Sequence, residues 1–328
     1  MNDLELIIQA ARDAGDIAMG FFQKDPEIWD KSDNAGPVTE ADLAVDKMLS
    51  AELRMERPGY GWLSEETEDG AERLHQERVF IIDPIDGTRA FIAGTEHWSH
   101  SLAVAKAGQI QAAAVYLPVL DMMFCACLGG GAFLNGAPIS VSPRAETHGA
   151  DILSAKSNFD PEFWPGGLPD LKRSFRSSLA YRLCLVANGA FDGMLTLRPT
   201  WEWDVAAGSL IVNEAGGLAT DQTGAVPLFN SGAAQLNGMV ASNRDIHSGL
   251  LAGLMLMVTI YIMARVKNLP KGEWMGWGEV TESFFDAFWG LMLIVIIMVV
   301  IYGIPGLTGA IFTPTEAAAV AAMYAFFV

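Results

Sequence analysis

The chain has 328 residues, of which 51% are hydrophobic and 18% are charged, and its formal net charge is −18. This composition indicates a globular protein, and the length exceeds that of one average domain. Residues 249–328 carry three basic and five acidic side chains, so −16 of the net charge falls in residues 1–248. Because such an acidic surface repels polyanions, a nucleic acid polymer is not expected as a partner. A small phosphorylated metabolite would need local cations, which bound metal could supply.

The first 217 residues show helix and strand patterns in mixed order. The predicted helices cover residues 3–23, 39–55, 178–188 and 203–215. The predicted strands cover residues 79–82 and 152–155, with strand pairs that turn at residues 107–109, 129–131 and 135–136. Thr39 to Asp42 reads as a capping box at the start of the second helix. Because helices and strands do not alternate strictly, we expect stacked layers of sheet and helix, an α/β fold.

The N-terminal sequence and the cysteines indicate the cellular compartment of the first domain and its lack of a disulfide framework. No signal peptide is recognisable, since Asp3 and Glu5 stand where positive charge is expected, so the first domain is expected to be cytoplasmic. The cysteines are too few for a disulfide framework, and Cys125 and Cys127 alternate as on one face of a buried strand rather than as a metal pair.

Beyond Ser248 the chain becomes strongly apolar. Residues 250–266 hold no charge before Arg265, and residues 287–307 hold none. About 20 apolar residues span the hydrocarbon layer of a bilayer. We therefore expect two transmembrane helices, with residues 317–328 as the beginning of a third. They would contact membrane lipid and tether the chain to the cytoplasmic membrane. The alternative, a pair of buried core helices, has no obvious core to enter.

The segment from Asp83 to Thr88 is the most informative about function, because it combines candidate metal-binding and phosphate-binding residues. Asp83 and Asp86 lie just past a predicted strand and can converge on a hard cation such as Mg²⁺. Gly87 permits close approach of the backbone to a ligand. Thr88 adds a hydroxyl at a predicted helix start, where N–H groups favour phosphate. Taken alone, Asp-Pro-x-Asp-Gly is also a common turn sequence.

Other carboxylates strengthen the metal interpretation. Glu65 and Glu66 follow an apolar run, and Asp204 lies near a predicted helix start, where a lone Asp is usually a cap. Carboxylates beside apolar runs are costly to bury unless they are paired or bind metal. Three such sites predict a shared Mg²⁺ centre. Two-metal centres, with ions ~3.5–4 Å apart, stabilise both the attacking and the leaving oxygen in phosphoryl transfer.

These acidic motifs, in this order, resemble those of the inositol monophosphatase superfamily. The motifs are residues 38–42, 65–66, 83–88 and 203–208, with further agreement at 129–136 and 213–217. The resemblance covers residues 4–250 and implies a layered α-β-α-β-α sandwich. We therefore expect a metal-dependent phosphatase domain at 1–248, followed by a membrane fragment with two or three transmembrane helices at 249–328.

The resemblance implies a role for each matching residue. Two to three Mg²⁺ ions would be held by Glu65, Asp83, the carbonyl of Ile85, Asp86 and Asp204. The third, weaker ion would be held by Glu65 through water. Asp42 and Thr88 would orient and deprotonate the attacking water. The backbone N–H groups of Gly87 and Thr88 would hold the phosphate. Glu66 would help to hold the metal ligands in position without binding the metal itself.

The chain departs from the inositol-specific members at the substrate end. Where those members have a small segment and a glutamate, this chain has Ser177-Ser178-Leu179 and Arg198. Ser178 and Arg198 are therefore the candidate substrate-binding residues. Arg198 could meet a second phosphate, which favours the bisphosphate nucleotidase branch, or it could be an ordinary surface arginine. The candidate substrates are inositol-1-phosphate and 3′(2′),5′-bisphosphonucleotides, with sugar bisphosphates also open.

The tail has a resemblance of its own. Residues 257–265 and 309–319 resemble the large permease subunit of TRAP dicarboxylate transporters. That family needs many more spans, so transport by this fragment alone is not expected. Two alternatives to a working phosphatase stay open: a transporter component with an accessory phosphatase-like domain, and a non-productive gene fusion. The sequence leaves a homodimer open as well.

Overall fold

The computed structural model describes residues 1–31, 36–164, 168–251 and 254. Its helices are α1 (Asp3–Phe21), α2 (Glu40–Glu56), α3 (Thr88–Ile92), α4 (Leu179–Ala187) and α5 (Glu202–Glu214). A further helix, called the last helix because it is the last one in the described residues, begins at residue 244. The strands are β1 (Ile28–Asp30), β2 (Pro37–Thr39), β3 (Gly61–Ser64), β4 (Arg78–Asp86), β5 (Ser99–Lys106), β6 (Gln109–Leu117), β7 (Met122–Cys127), β8 (Ala132–Leu134), β9 (Ala137–Pro138), β10 (Ala150–Leu153), β11 (Leu171–Ser174), β12 (Gly193–Thr196), β13 (Thr200–Trp201), β14 (Leu218–Thr220), β15 (Gln235–Leu236) and β16 (Met239–Ser242).

The helices α1 and α2 form where their apolar spacing and caps predict. The side chain of Asn2 accepts from the N–H of Glu5 at the start of α1. Thr39 and Asp42 form the predicted capping box of α2, with Thr39 Oγ1 accepting from the N–H of Asp42. Both helices bury one face against the same side of a large sheet. The predictions for both helices are confirmed.

The large sheet has seven strands in the order β3-β4-β5-β6-β7-β8-β9, and all neighbours are antiparallel except β3 and β4. Along β4 the side chains alternate between its two faces. Phe80 and Ile82 pack with α1 and α2, whereas Val79 and Ile81 belong to the core on the other side.

Strand β4 is longer than the sequence predicts. It continues through Asp83 to Asp86, because β5 pairs Ser101 with Asp83 and Ser99 with Asp86 across a register shift. The expectation that the strand stops at Asp83 was therefore wrong. The two carboxylates belong to the strand and its irregular end, where the neighbouring strand fixes their backbone.

A second sheet completes the layers. Its five strands have the order β11-β10-β12-β16-β14. Helices α4 and α5 lie between the two sheets and contribute buried residues to the core that both sheets share. The last helix covers the other face of the second sheet. Over the described residues the layers therefore follow the expected order α-β-α-β-α.

The last helix crosses the predicted boundary at residue 248. The side chain of Asn243 accepts from the N–H of Ile246 at 2.9 Å, which caps the helix. Ile246, Leu250 and Leu254 follow at four-residue spacing, and Leu250 and Leu254 are 0% and 7% exposed. These residues pack in the core with residues of the second sheet. The apolar run that begins at residue 250 thus starts inside this core.

In the described ranges, no helix is long and apolar enough to cross a membrane. The spans expected at 287–307 and 317–328, and most of the span expected at 250–266, lie outside the described residues.

Candidate metal centre and substrate cleft

A polar cleft of about 420 Å³ opens where the end of β4 meets the starts of α3, α4 and α5. Its lining combines acidic side chains with arginine and aromatic side chains. The lining comprises Gly36, Pro37, Glu65, Asp83, Ile85, Asp86, Gly87, Thr88, Arg89, Phe175, Ser177, Leu179, Arg182, Arg198, Trp201 and Asp204. Most of the residues that the sequence predicts for the site therefore face one cavity.

Three of the predicted metal ligands converge. Asp83 and Asp86 come from the end of β4, and Asp204 comes from the first turn of α5. One carboxylate oxygen from each lies within 4.8 Å of the others. The alternative interpretation of Asp204 as a helix cap was wrong, because Trp201 occupies the cap position of α5.

The electrostatics of this cluster call for a cation. Burial, then repulsion from neighbouring carboxylates, raises the pKa of Asp83 and of Asp204 well above the usual range. Burial also raises the pKa of Asp86 to about 6, although hydrogen bonds from Ser178 and Ala180 oppose the increase. Asp83 Oδ1 is buried and has no hydrogen-bond partner among the described residues. A divalent cation with a preference for oxygen ligands, such as Mg²⁺, fits this donor set.

Ser178 lies behind the metal cluster rather than at the substrate. Its side chain is fully buried, and its Oγ donates to Asp86 Oδ2 at 2.6 Å and accepts from the N–H of Tyr181 at 2.8 Å. Ser177 and Leu179 line the cleft instead. Ser178 caps α4 and points inward to Asp86, so the role that the structure supports for it is support of that carboxylate, while its contact with substrate stays a prediction.

Asp42 and Thr88, predicted to act together, are in contact. Thr88 Oγ1 lies 3.2 Å from Asp42 Oδ1 and 3.2 Å from the carbonyl of Ile85. The other carboxylate oxygen of Asp42 accepts from the N–H and the hydroxyl of Thr39, at 2.9 Å and 2.5 Å. Burial raises the pKa of Asp42 to about 6. A carboxylate with this pKa can accept a proton near neutral pH.

Glu65 and Glu66 share a cation that the sequence did not predict. Lys31 Nζ lies 2.7 Å from Glu65 Oε1 and 2.6 Å from Glu66 Oε1. Burial and the neighbouring Glu65 raise the pKa of Glu66 to about 7. Although burial alone would lower it, the two glutamates raise the pKa of Lys31 to about 12. Glu65 lines the cleft together with the three converging carboxylates.

Gly87 has a backbone conformation that favours glycine. Its φ is +99°, and an added Cβ would lie 3.2 Å from the carbonyl oxygen of His97. The turn therefore fits tightly against the loop before β5. The helix predicted to start at Thr88 exists, but α3 has only five residues. So short a helix adds little dipole, so any contact with phosphate would depend on individual N–H groups.

Cationic and aromatic side chains also line the cleft. Arg182 is buried, and its guanidinium lies 4.5 Å from the centre of the Phe175 ring. Burial lowers the pKa of Arg182 only to about 10, so it stays charged at neutral pH. Arg198 is exposed and lines the same cleft. Trp201, which is 42% exposed, stacks on Trp203 with ring centres 4.7 Å apart.

Sequence reasoning missed Lys31 and Arg182. Lys31 contacts Glu65 and Glu66 from a distant segment, whereas Arg182 lies in α4 close to Ser177 and Leu179, and neither belongs to a recognisable motif. Arg182 carried one usable signal, because an arginine inside the apolar helical run 179–187 must find polar partners or open space. Its Nε donates to the carbonyl of Arg176 at 2.6 Å.

Comparisons with known proteins agree with this geometry. Residues 2–255 match the Inositol monophosphatase family. An inositol-1-monophosphatase of Mesorhizobium japonicum is 31% identical over 264 residues, or 76% of this chain and 94% of that protein. A histidinol-phosphatase of Chlorobaculum parvum is 29% identical over 265 residues, or 77% of this chain and 96% of that protein.

A solved structure and a second family match complete the comparisons. The structure of an IMPase from Thermotoga maritima superposes with a TM-score of 0.67 at 29% identity, covering 79% of this chain and 99% of that one. The α/β sandwich expected from the sequence is thereby confirmed for the part of the chain that the structure describes. Residues 240–328 match the DctM component of tripartite ATP-independent periplasmic transporters, which confirms the resemblance of the tail.

Proposed function

Since the chain belongs to the inositol monophosphatase family, we propose that its first ~255 residues hydrolyse a small phosphomonoester with the help of two to three Mg²⁺ ions. The observation that carries this proposal is the convergence of Asp83, Asp86 and Asp204 within 4.8 Å. Burial raises the pKa of all three carboxyl groups, and repulsion between neighbouring carboxylates adds to it for Asp83 and Asp204, so a bound cation would stabilise their ionised forms.

The proposed mechanism assigns distinct work to the residues of the cleft. Asp83, Asp86, Asp204, Glu65 and the carbonyl of Ile85 would hold Mg²⁺. The bound Mg²⁺ would supply positive charge to the phosphate and lower the pKa of the attacking water. Thr88 would orient that water through its hydroxyl. Asp42 would accept the proton through Thr88, a step that its pKa of about 6 favours near neutral pH.

The first test removes one charge from the metal centre. Asp204→Asn should keep the shape of the cleft and weaken Mg²⁺ binding. We expect turnover to fall by at least about 100-fold, which corresponds to ~3 kcal/mol of transition-state stabilisation. The matched control is Asp245→Asn, which removes an exposed carboxylate from the last helix. Near-normal turnover of Asp204→Asn, or activity that survives a chelator, would contradict the proposal.

The finer proposal concerns the substrate. We propose a preference for 3′(2′),5′-bisphosphonucleotides, because Arg182 and Arg198 offer positive charge to a second phosphate. Trp201 and Phe175, 42% and 48% exposed in the cleft, offer flat apolar surface to a base. Inositol-1-phosphate is the second candidate, since the relative that is 31% identical is an inositol-1-monophosphatase.

A substrate panel separates these candidates. Initial rates would be compared on adenosine 3′,5′-bisphosphate, inositol-1-phosphate, histidinol phosphate and fructose bisphosphate. Arg198→Glu should lower kcat/KM for the bisphosphonucleotide about tenfold more than for inositol-1-phosphate, because only the first substrate carries a second phosphate near it. Arg244→Glu, exposed at the start of the last helix, controls for the change in net charge. Equal losses on both substrates would leave Arg198 without a role in selectivity.

A further inference from the structure

Strand β5 begins with three consecutive buried polar residues. Ser99, His100 and Ser101 are 0%, 0% and 1% exposed, and they lie beside the metal cluster without lining the cleft. Burying three polar side chains in a row is costly unless each one is hydrogen-bonded. The proposed reaction uses none of them. Their partners are therefore informative.

The three side chains reach the two segments that carry the converging carboxylates, the end of β4 and the start of α5, and Ser99 does so through Ser178. Ser101 Oγ donates to the carbonyl of Trp203 at 3.0 Å, and Trp203 directly precedes Asp204. Ser99 Oγ lies 3.0 Å from Ser178 Oγ, which in turn donates to Asp86.

His100 contacts the end of β4 directly. Its Nδ1 is hydrogen-bonded to the carbonyl of Pro84, between Asp83 and Ile85. A carbonyl can only accept, so Nδ1 carries the proton. The ring meets Trp98 edge-on, with ring centres 5.5 Å apart at 82°. The other ring nitrogen is buried and has no hydrogen-bond partner within the described part of the chain. The imidazole is thus held on one partner alone.

We propose that Ser99, His100 and Ser101, here called the ligand brace, are positioning residues that set the Mg²⁺ affinity of the site. The inference rests on the proposed metal centre. The carboxylates of Asp83, Asp86 and Asp204 repel one another, and Asp204 is distant from the other two in sequence. Strand β5 is bonded to the end of β4 through His100 and, by way of Ser178, through Ser99, and to the start of α5 through Ser101; these bonds keep the two segments from moving apart. Partners of this kind, which do not touch the metal, typically change its affinity by about tenfold to 100-fold.

The competing explanation is that these side chains only stabilise the fold. Metal affinity and stability therefore have to be measured separately. Ser154→Ala provides the control, since Ser154 is fully buried and its Oγ donates to the carbonyl of Leu195 at 2.9 Å in the second sheet. It removes a comparable buried hydroxyl from a different part of the core.

The experiment titrates Mg²⁺ alone into the full chain in detergent by calorimetry and records the thermal midpoint without metal. We expect Ser101→Ala and His100→Leu to weaken Mg²⁺ binding at least tenfold. Ser154→Ala should lower the midpoint and leave the affinity within about twofold of wild type. His100→Asn, which keeps a donor near the position of Nδ1, should recover most of the affinity.

Two results would overturn the inference. In the first, Ser101→Ala and His100→Leu lower the midpoint but leave Mg²⁺ affinity within about twofold of wild type. In the second, His100→Asn binds Mg²⁺ no more tightly than His100→Gln, whose amide nitrogen lies nearer the position of Nε2 than that of Nδ1. This comparison still decides if His100→Leu fails to fold. A wild-type chain that binds no Mg²⁺ would instead refute the proposed function, and the brace with it.

Discussion

At the scale of single residues, the hydroxyl of Thr88 connects two parts of the proposed reaction. It lies 3.2 Å from both Asp42 Oδ1 and the carbonyl of Ile85. Thr88→Ala removes the group that would orient water but leaves the carboxylates in place. We therefore expect kcat to fall about tenfold to 100-fold with little change in KM, measured by steady-state kinetics at saturating Mg²⁺. A change in KM alone would make Thr88 a binding residue.

Individual side chains also show where sequence reasoning stops. Asp83, Asp86 and Asp204 could be predicted to converge, because each lies in a recognisable motif. The contact of Lys31 with Glu65 and Glu66 could not be predicted, because Lys31 lies 34 residues before Glu65 and the two segments share no sequence pattern. Nothing local distinguishes this lysine from one that is solvated.

At the scale of elements, the periodicity predicted most helices and strands, because each buries one regular face. The extent of β4 was missed for a tertiary reason. Residues 83–86 contain a proline and read as a turn, yet pairing of Ser99 and Ser101 with this segment keeps it in the sheet. The burial of Ser178 was missed for a similar reason, because a helix cap that points inward and a residue that faces the cleft look the same in a sequence. The role of each depends on neighbours that only the fold supplies.

At the scale of the whole molecule, the buried carboxylates make stability depend on pH and metal. Burial raises the folded-state pKa of Asp42 and Asp86 to about 6 and that of Glu66 to about 7, from usual values near 4. The folded chain therefore binds these protons more tightly than the unfolded chain. Their stabilising contribution is complete below pH ~4 and is lost as the pH rises through 6–7. Each group changes the unfolding free energy by up to about 1.4 kcal/mol per pH unit in its window.

We therefore expect the metal-free chain to be less stable at pH 7.5 than at pH 5.5. Mg²⁺ should restore stability, and more so at the higher pH, because only ionised carboxylates bind it. Urea unfolding at both pH values, with chelator and with Mg²⁺, measures this directly. A metal-free unfolding free energy that rises from pH 5.5 to 7.5 would contradict the expectation, as would an equal effect of Mg²⁺ at both.

The junction between the two parts of the chain also belongs to this scale. The match to the phosphatase family ends at residue 255, and the match to the transporter component begins at residue 240, so the two overlap in the last helix. That helix contributes Leu250 and Leu254 to the core. Of the apolar residues just beyond Ser248, Leu250 and Leu254 therefore serve core packing, and we propose that the first domain extends past residue 248.

Truncation tests this reasoning. A chain ending at residue 255 should keep wild-type turnover and stay in the supernatant, whereas the full chain should sediment with membranes if the tail anchors it.

A chain ending at residue 248 loses Leu250 and Leu254, and removing a buried leucine costs about 2–5 kcal/mol. It should therefore unfold at a much lower urea concentration than the 255-residue chain. Leu250→Ala in the 255-residue chain should reproduce part of that loss. If the 248- and 255-residue chains unfold together, the core ends before Leu250 and the helix serves the tail alone.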